Sequence, residues 1–123
     1  MPSTCTIRLD AANLDHTAEF WQSLLGYEET ARTGSGTPME RRTLVSEAVP
    51  GVTIELVACL PRPVIGSTLG SLRSLRFTVR DPLGAAQQAK HTQWIQPVDP
   101  AAPPPPSITL LDPSGYRVEL ARA

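Results

Sequence analysis

Two glutamates lie in matching strand-like segments, and their carboxylates are the groups in this chain best suited to chemistry. Glu55 lies in Thr-Ile-Glu-Leu at 53–56, and Glu119 lies in Arg-Val-Glu-Leu at 117–120. Upstream of each, an arginine stands between two apolar residues, at 7–9 and at 75–77. Two half-chains built alike would each present one carboxylate at an equivalent position. Such a pair can bind a divalent cation, or act as a general base where burial raises the pKa.

The composition is that of a globular domain without a strong charge. The chain has 123 residues, 41% of them hydrophobic, a net charge of −1 and a pI of about 6.1. Without a basic excess we expect no general attraction for nucleic acid or an anionic membrane. No apolar stretch approaches the roughly 20 residues that span a bilayer, and the N-terminus lacks a secretory pattern. We therefore expect a cytoplasmic protein whose two cysteines, Cys5 and Cys59, are free thiols.

The first half of the chain, about 1–60, predicts a βαβββ module. Its helix should run over Leu14–Leu25, with Asn13 as the N-cap and Gly26 as the stop. The apolar stripe of this helix should pack on the sheet face that carries Leu9, and its members are Leu14, Ala18, Trp21 and Leu25. Alternating and β-branched residues predict strands at 4–10, 27–32, 40–46 and 52–60.

A second, shorter βαβββ module is predicted over about 71–123, after a connector at 61–70. Its helix should begin at Asp81-Pro82 and end near His91. Six prolines within Pro97–Pro106 exclude a central strand or helix there. They favour a stiff surface connector over a ligand for a proline-recognition domain. The strands are predicted at 72–79, 93–96, 107–111 and 116–121, with a hairpin turn at 112–115.

Two longer motifs carry a resemblance to a known family. Glu-Phe-Trp-Gln-Ser-Leu-Leu-Gly-Tyr at 19–27 is similar to the helix-to-strand signature of the glyoxalase, bleomycin resistance and extradiol dioxygenase proteins. Leu-Asp-Pro-Ser-Gly-Tyr-Arg-Val-Glu-Leu at 111–120 is similar to their closing hairpin. The chain thus resembles the vicinal oxygen chelate superfamily over essentially its whole length. The resemblance implies a single α+β domain, 1–123, whose two βαβββ modules form a curled mixed sheet around a cup, and it implies a homodimer.

In that family the cup often holds a divalent metal with two ligands from each module. Carried over by position, the fourth-strand ligands fall on Glu55 and Glu119, and the first-strand ligands fall on Thr6 and Ser74 instead of histidines. Two carboxylates and two hydroxyls would hold Zn²⁺ or Fe²⁺ weakly, whereas Mg²⁺, Mn²⁺ and Ca²⁺ accept oxygen ligands. We therefore expect no bound metal or other cofactor, with a divalent metal at Glu55 and Glu119 as the alternative.

Strand alternation gathers arginines, hydroxyls and the two glutamates on one face, which suits a small polar or anionic ligand. A solvated groove whose charges compensate each other would show the same pattern. We expect a bleomycin-resistance-like protein that binds a small organic molecule in the cup. A second possible function is that of a lyase or isomerase resembling glyoxalase I, with Glu55 and Glu119 catalytic, and a third is that of a structural or regulatory dimer without a ligand. The expected ligand-binding residues are Thr6, Arg8, Ser74, Arg76, Arg117 and Trp94.

Overall fold

Ten secondary-structure elements lie within the residues that the computed structural model describes, which are 5–58, 74–95, 103 and 105–123. They follow the order βαβββ twice. The first module consists of β1 (Cys5–Ala11), α1 (Leu14–Leu25), β2 (Glu28–Thr33), β3 (Arg41–Val45) and β4 (Val52–Ala58). The second consists of β5 (Ser74–Val79), α2 (Pro82–Gln88), β6 (Gln93–Trp94), β7 (Ser107–Leu111) and β8 (Arg117–Arg122).

The two modules form four-stranded sheets of the same topology. The strand orders are β1-β4-β3-β2 and β5-β8-β7-β6. In each sheet the first and last strands of the module pair in parallel, and the other pairs are antiparallel. Arg8 lies beside Glu55 in one parallel pair, and Arg76 lies beside Glu119 in the other. The predicted α+β class and the duplication into βαβββ modules are therefore confirmed.

The first helix has the predicted bounds because both of its ends are capped. The Asn13 side chain accepts a hydrogen bond from the His16 amide at 3.0 Å, which satisfies one of the first unpaired amides of the helix. Gly26 ends the helix with φ of 71° and donates its amide to the carbonyl of Gln22. That left-handed conformation favours glycine, because a Cβ would be strained there.

One hydrophobic core joins the two modules. Trp21, at the centre of α1, is fully buried, as expected, and meets Phe20, Tyr27 and Phe77 edge to face. Phe77 belongs to β5, so this contact crosses from one module to the other. The buried face of α1 is wider than the predicted stripe, because it also includes Thr17, Phe20 and Leu24.

Polar and ring-stacking contacts also connect the two modules on the side of the helices. The Tyr116 hydroxyl accepts the Asp10 amide at 3.3 Å. His91 Nε2 lies 2.8 Å from Glu19 Oε2, and the His91 ring stacks on His16 with centroids 4.0 Å apart. Both histidines therefore lie beside the helices and away from the strands.

Strand β2 is one of the two outer strands of its sheet, and all six of its residues are exposed. Its register against β3 shifts between Glu29 and Ala31, which marks a β-bulge or a similar irregularity. Tyr27 was predicted to begin this strand, but its ring is buried and its hydroxyl donates to the Val52 carbonyl at 3.1 Å. The Tyr27 side chain therefore packs in the core, and the strand begins one residue later, at Glu28.

Some element ends differ from the sequence prediction. Helix α2 ends at Gln88 and not near His91, because Ala89 is already extended, with φ of −68° and ψ of 132°. Strand β6 contains only Gln93 and Trp94. The predicted connector 61–70, Cys59, and most of the proline-rich segment lie outside the described residues. No helix among the described residues is long and apolar enough to cross a membrane.

Candidate functional site

Each sheet has one face under the helices and one face that the helices leave uncovered. The alternation of burial along the strands separates the two, because successive side chains point to opposite faces. In β5, for example, Leu75 and Phe77 are buried while Ser74, Arg76 and Thr78 are exposed. We call the uncovered polar set the open face. Its members are Thr6, Arg8, Asp10, Arg41, Thr43, Thr53 and Glu55 in the first module and Ser74, Arg76, Thr78, Ser107, Thr109, Arg117 and Glu119 in the second.

Glu55 is the centre of the open face in the first module. Its Oε1 lies 3.2 Å from Arg8 Nε and 3.5 Å from Arg41 Nη1, while Thr43 is its neighbour on β3. The Glu55 side chain is 19% exposed, against 62% for Arg8 and 45% for Arg41. Oε1 is itself buried and makes no hydrogen bond within the described residues. The contacts are therefore ion pairs without hydrogen-bond geometry, and more than half of the Arg8 side chain and nearly half of the Arg41 side chain remain accessible.

Glu119 occupies the equivalent position in the second module. Its Oε1 lies 3.5 Å from Arg76 Nε, and Thr109 is its neighbour on β7. The Arg76 side chain is 68% exposed and that of Glu119 is 35% exposed. Both modules thus present the same triplet of arginine, glutamate and threonine across three neighbouring strands. Exposed ion pairs of this kind contribute about 0–1 kcal/mol, so a ligand can compete for either partner.

The turn before β8 fixes where Glu119 and Arg117 stand. Asp112 Oδ1 accepts the amides of Ser114 and Tyr116, each at 2.9 Å, which closes the hairpin. Only 4% of the Asp112 surface is exposed. Burial raises the pKa of this carboxyl from 3.8 to about 6, partly offset by the backbone hydrogen bonds it accepts. The start of β8 is therefore held by a buried side chain that titrates near neutral pH.

Seven of the eight candidate residues lie on the open face. Trp94 is the exception, because it pairs with Leu110 and packs against the hydrophobic core on the helix side. Sequence reasoning missed Arg41, Thr43 and Thr109. The alternation of 41–45 contained the signal, but only the hairpin register assigns Arg41 to the face of Glu55.

The donor set does not fit a divalent metal. The residue beside each glutamate on the parallel strand is an arginine, whose positive charge opposes a cation. The described residues contain no group of three histidine, cysteine, aspartate or glutamate side chains placed to hold an ion. Imidazole would supply much of the affinity for Zn²⁺ or Fe²⁺, but both histidines stack on each other beside the helices.

Solved structures with the same fold include proteins that bind or resist antibiotics. TnmS3, an antibiotic-binding protein from Streptomyces sp. CB03234, superposes with a TM-score of 0.65 at 15% identity, covering 99% of this chain and 96% of its own. A glyoxalase/bleomycin resistance protein from the same organism gives 0.62 at 16% identity, covering 97% and 99%. FosX, a fosfomycin resistance protein from Listeria monocytogenes in complex with Mn(II) and a dihydroxypropylphosphonic acid, gives 0.64 at 15% identity, covering 96% and 89%.

These likenesses establish the fold. The chain shares the fold of glyoxalase/bleomycin resistance and fosfomycin resistance proteins, which is the fold that its two sequence motifs implied. No protein-family model matches the chain, and no curated protein matches it in a sequence search.

Proposed function

We propose that this protein binds a small organic molecule on the open face and needs no metal to do so. The observation that carries the proposal is the repeated triplet, in which Arg8, Glu55 and Thr43 correspond to Arg76, Glu119 and Thr109. Guanidinium groups supply several donors in a fixed plane, carboxylates accept, and hydroxyls do both. Each module therefore supplies the same donors and acceptors for a polar organic molecule.

The antibiotic-binding and resistance proteins with this fold support a binding or resistance role. A divalent-metal lyase or isomerase is the alternative, and the Mn(II) complex of FosX favours it. The residues of this chain argue against it, because each carboxylate that would bind the ion is paired with an arginine instead. As a general base, Glu55 would first have to be released from two guanidinium groups.

We also propose that the functional unit is a homodimer. The open face leaves polar and charged side chains uncovered in a single chain, and a concave ligand site normally encloses most of its ligand. A second copy can supply the opposite wall. Light scattering coupled to size exclusion tests this directly, and a monomer at all working concentrations would contradict it.

Thermal unfolding with bleomycin, fosfomycin and a panel of aromatic antibiotics tests the binding proposal. A ligand that binds only the folded state stabilises it by RT ln(1 + [L]/Kd), which is about 2.7 kcal/mol at a hundredfold excess over Kd. The shift should survive a chelator, because no metal is required. It should shrink in the double variant Arg8→Gln/Arg76→Gln.

Arg32→Gln is the matched control. Arg32 is also an exposed strand arginine paired with a glutamate, but it lies opposite Arg42, away from the open face. Equal effects of the control and the double variant would move the binding site elsewhere. A shift that disappears with chelator would instead favour the metal enzyme.

A further inference from the structure

We infer that the ligand carries an anionic group, a carboxylate or a phosphate-like group, which Arg117 and Ser74 bind. This inference rests on the proposed function and adds the chemical class of the ligand. Its starting point is that the four arginines of the open face are not equivalent. Arg8, Arg41 and Arg76 each form an ion pair with a glutamate, whereas Arg117 forms none within the described residues.

Arg117 has a hydroxyl group as its immediate neighbour. Ser74 on β5 is its register partner in the parallel pair, and both residues are exposed. Neighbouring strands lie about 4.8 Å apart, so the hydroxyl and the guanidinium can reach one oxyanion. The planar guanidinium matches the geometry of a carboxylate or phosphate with two parallel hydrogen bonds, and the serine can donate a third.

Ser74 also stands where the family resemblance puts a first-strand metal ligand. In this chain that position combines the neutral hydroxyl of Ser74 with the positive charge of Arg117, which has no ion-pair partner among the residues that the structure describes. A cation would be repelled there, whereas an anion gains both charge attraction and donors. The nearest acid on the same face, Glu119, is two residues along β8 and already faces Arg76 at 3.5 Å.

The first module has no equivalent anion site. Its residues at the matching register are Thr6 and Thr53, which carry no charge. The extra arginine of that module, Arg41, lies against Glu55 instead. Within the described residues each chain therefore offers one anion-binding pair, in the second module, and the ligand should bind in one orientation with its anionic end toward Arg117.

A direct test compares benzoate and phenylphosphonate with neutral benzamide, by titration calorimetry or ligand-observed NMR. Both anions should bind the wild-type protein more tightly than benzamide. The Arg117→Gln variant should bind the anions at least about tenfold more weakly, because a hydrogen bond to a charged group is lost. Its affinity for benzamide should change little. Ser74→Ala should give a smaller loss for the anions.

Arg122→Gln is the matched control, since Arg122 is an exposed arginine on the same strand whose side chain alternates away from the open face. It removes the same net charge and should leave the preference for anions intact. Equal binding of benzoate and benzamide, or equal losses in the two arginine variants, would overturn the inference. Failure of both anions to bind would overturn it too. If any of these results were found while an antibiotic still raised the melting temperature, the proposed function would stand and only the anionic class of the ligand would be wrong.

Discussion

The buried Asp112 carboxyl should make the stability of the protein fall as the pH rises toward neutrality. In the folded protein its pKa is raised to about 6 by burial, whereas the ordinary value is 3.8. The folded state therefore retains a proton that the unfolded chain has already released. The contribution of Asp112 to stability is fully present below pH 3.8, decreases as the pH rises toward about 6, and is lost above that.

The size of the effect follows from the difference between the two pKa values. Each pH unit is worth about 1.4 kcal/mol, so the free energy of unfolding should lose about 3 kcal/mol through this one group. The structural reason is that Oδ1 accepts two amides while Oδ2 is buried without a hydrogen-bond partner in the described residues. Among the described residues, the hydrogen-bond donors that stabilise the deprotonated form therefore act on Oδ1.

Urea unfolding of the wild type and of Asp112→Asn between about pH 4 and pH 7 measures this effect, because other groups cancel in the difference. Relative to the variant, the wild type should lose about 2 kcal/mol over that interval, because part of the full loss has already occurred at pH 4. Asp112→Ala should show the same altered pH dependence. It should also be less stable than Asp112→Asn by about 2 kcal/mol, since the amides of Ser114 and Tyr116 lose their acceptor. If wild type and Asp112→Asn follow parallel curves, the assignment of a raised pKa to Asp112 is wrong.

Two further predictions concern the ion pairs. Arg42→Met should lower the free energy of unfolding by more than about 1 kcal/mol, because Arg42 is 9% exposed and its Nε lies 2.7 Å from Glu40 Oε2. Arg41 is next to Arg42 in the strand but is half-exposed, so Arg41→Met should lower the free energy of unfolding by less than about 1 kcal/mol. Equal losses for the two variants in urea unfolding would refute this difference between the buried and the exposed ion pair. Addition of MnCl₂ or ZnCl₂ should not raise the melting temperature, since arginines accompany the carboxylates. A rise that disappears in Glu55→Gln/Glu119→Gln would reveal a metal site after all.

Helices and strands whose ends are marked by capping, turn or proline residues in the sequence were predictable. Helix α1 has the predicted bounds because its ends depend on side-chain and backbone chemistry at Asn13 and Gly26, both visible in the sequence. Strand β7 likewise has its predicted bounds, between the proline-rich segment and the turn at Asp112. The duplication was visible because each module repeats arginine and glutamate in strand-like runs. These features depend on neighbours along the chain.

The rest depends on contacts between distant segments. Arg41 could be assigned to the site only from the register of the hairpin, which pairs β3 with the strand of Glu55. Strand alternation alone does not determine a register. Trp94 could have faced either way, and its packing against the core was decided by pairing with Leu110. Tyr27 lies outside the strand that was predicted to begin with it, because its hydroxyl donates a hydrogen bond to the Val52 carbonyl. Tertiary packing outweighed local pattern at each of these positions.

The irregular outer strand β2 has a consequence for behaviour at high protein concentration. A regular outer strand offers a row of amides and carbonyls to which another molecule can add its own strand, which is how fibrils grow. In β2 the interrupted register breaks that row, and Glu28, Glu29 and Arg32 would have to lose their hydration on contact. Growth of continuous sheets from molecule to molecule is therefore disfavoured at this edge, which favours other surfaces for any ordered self-association.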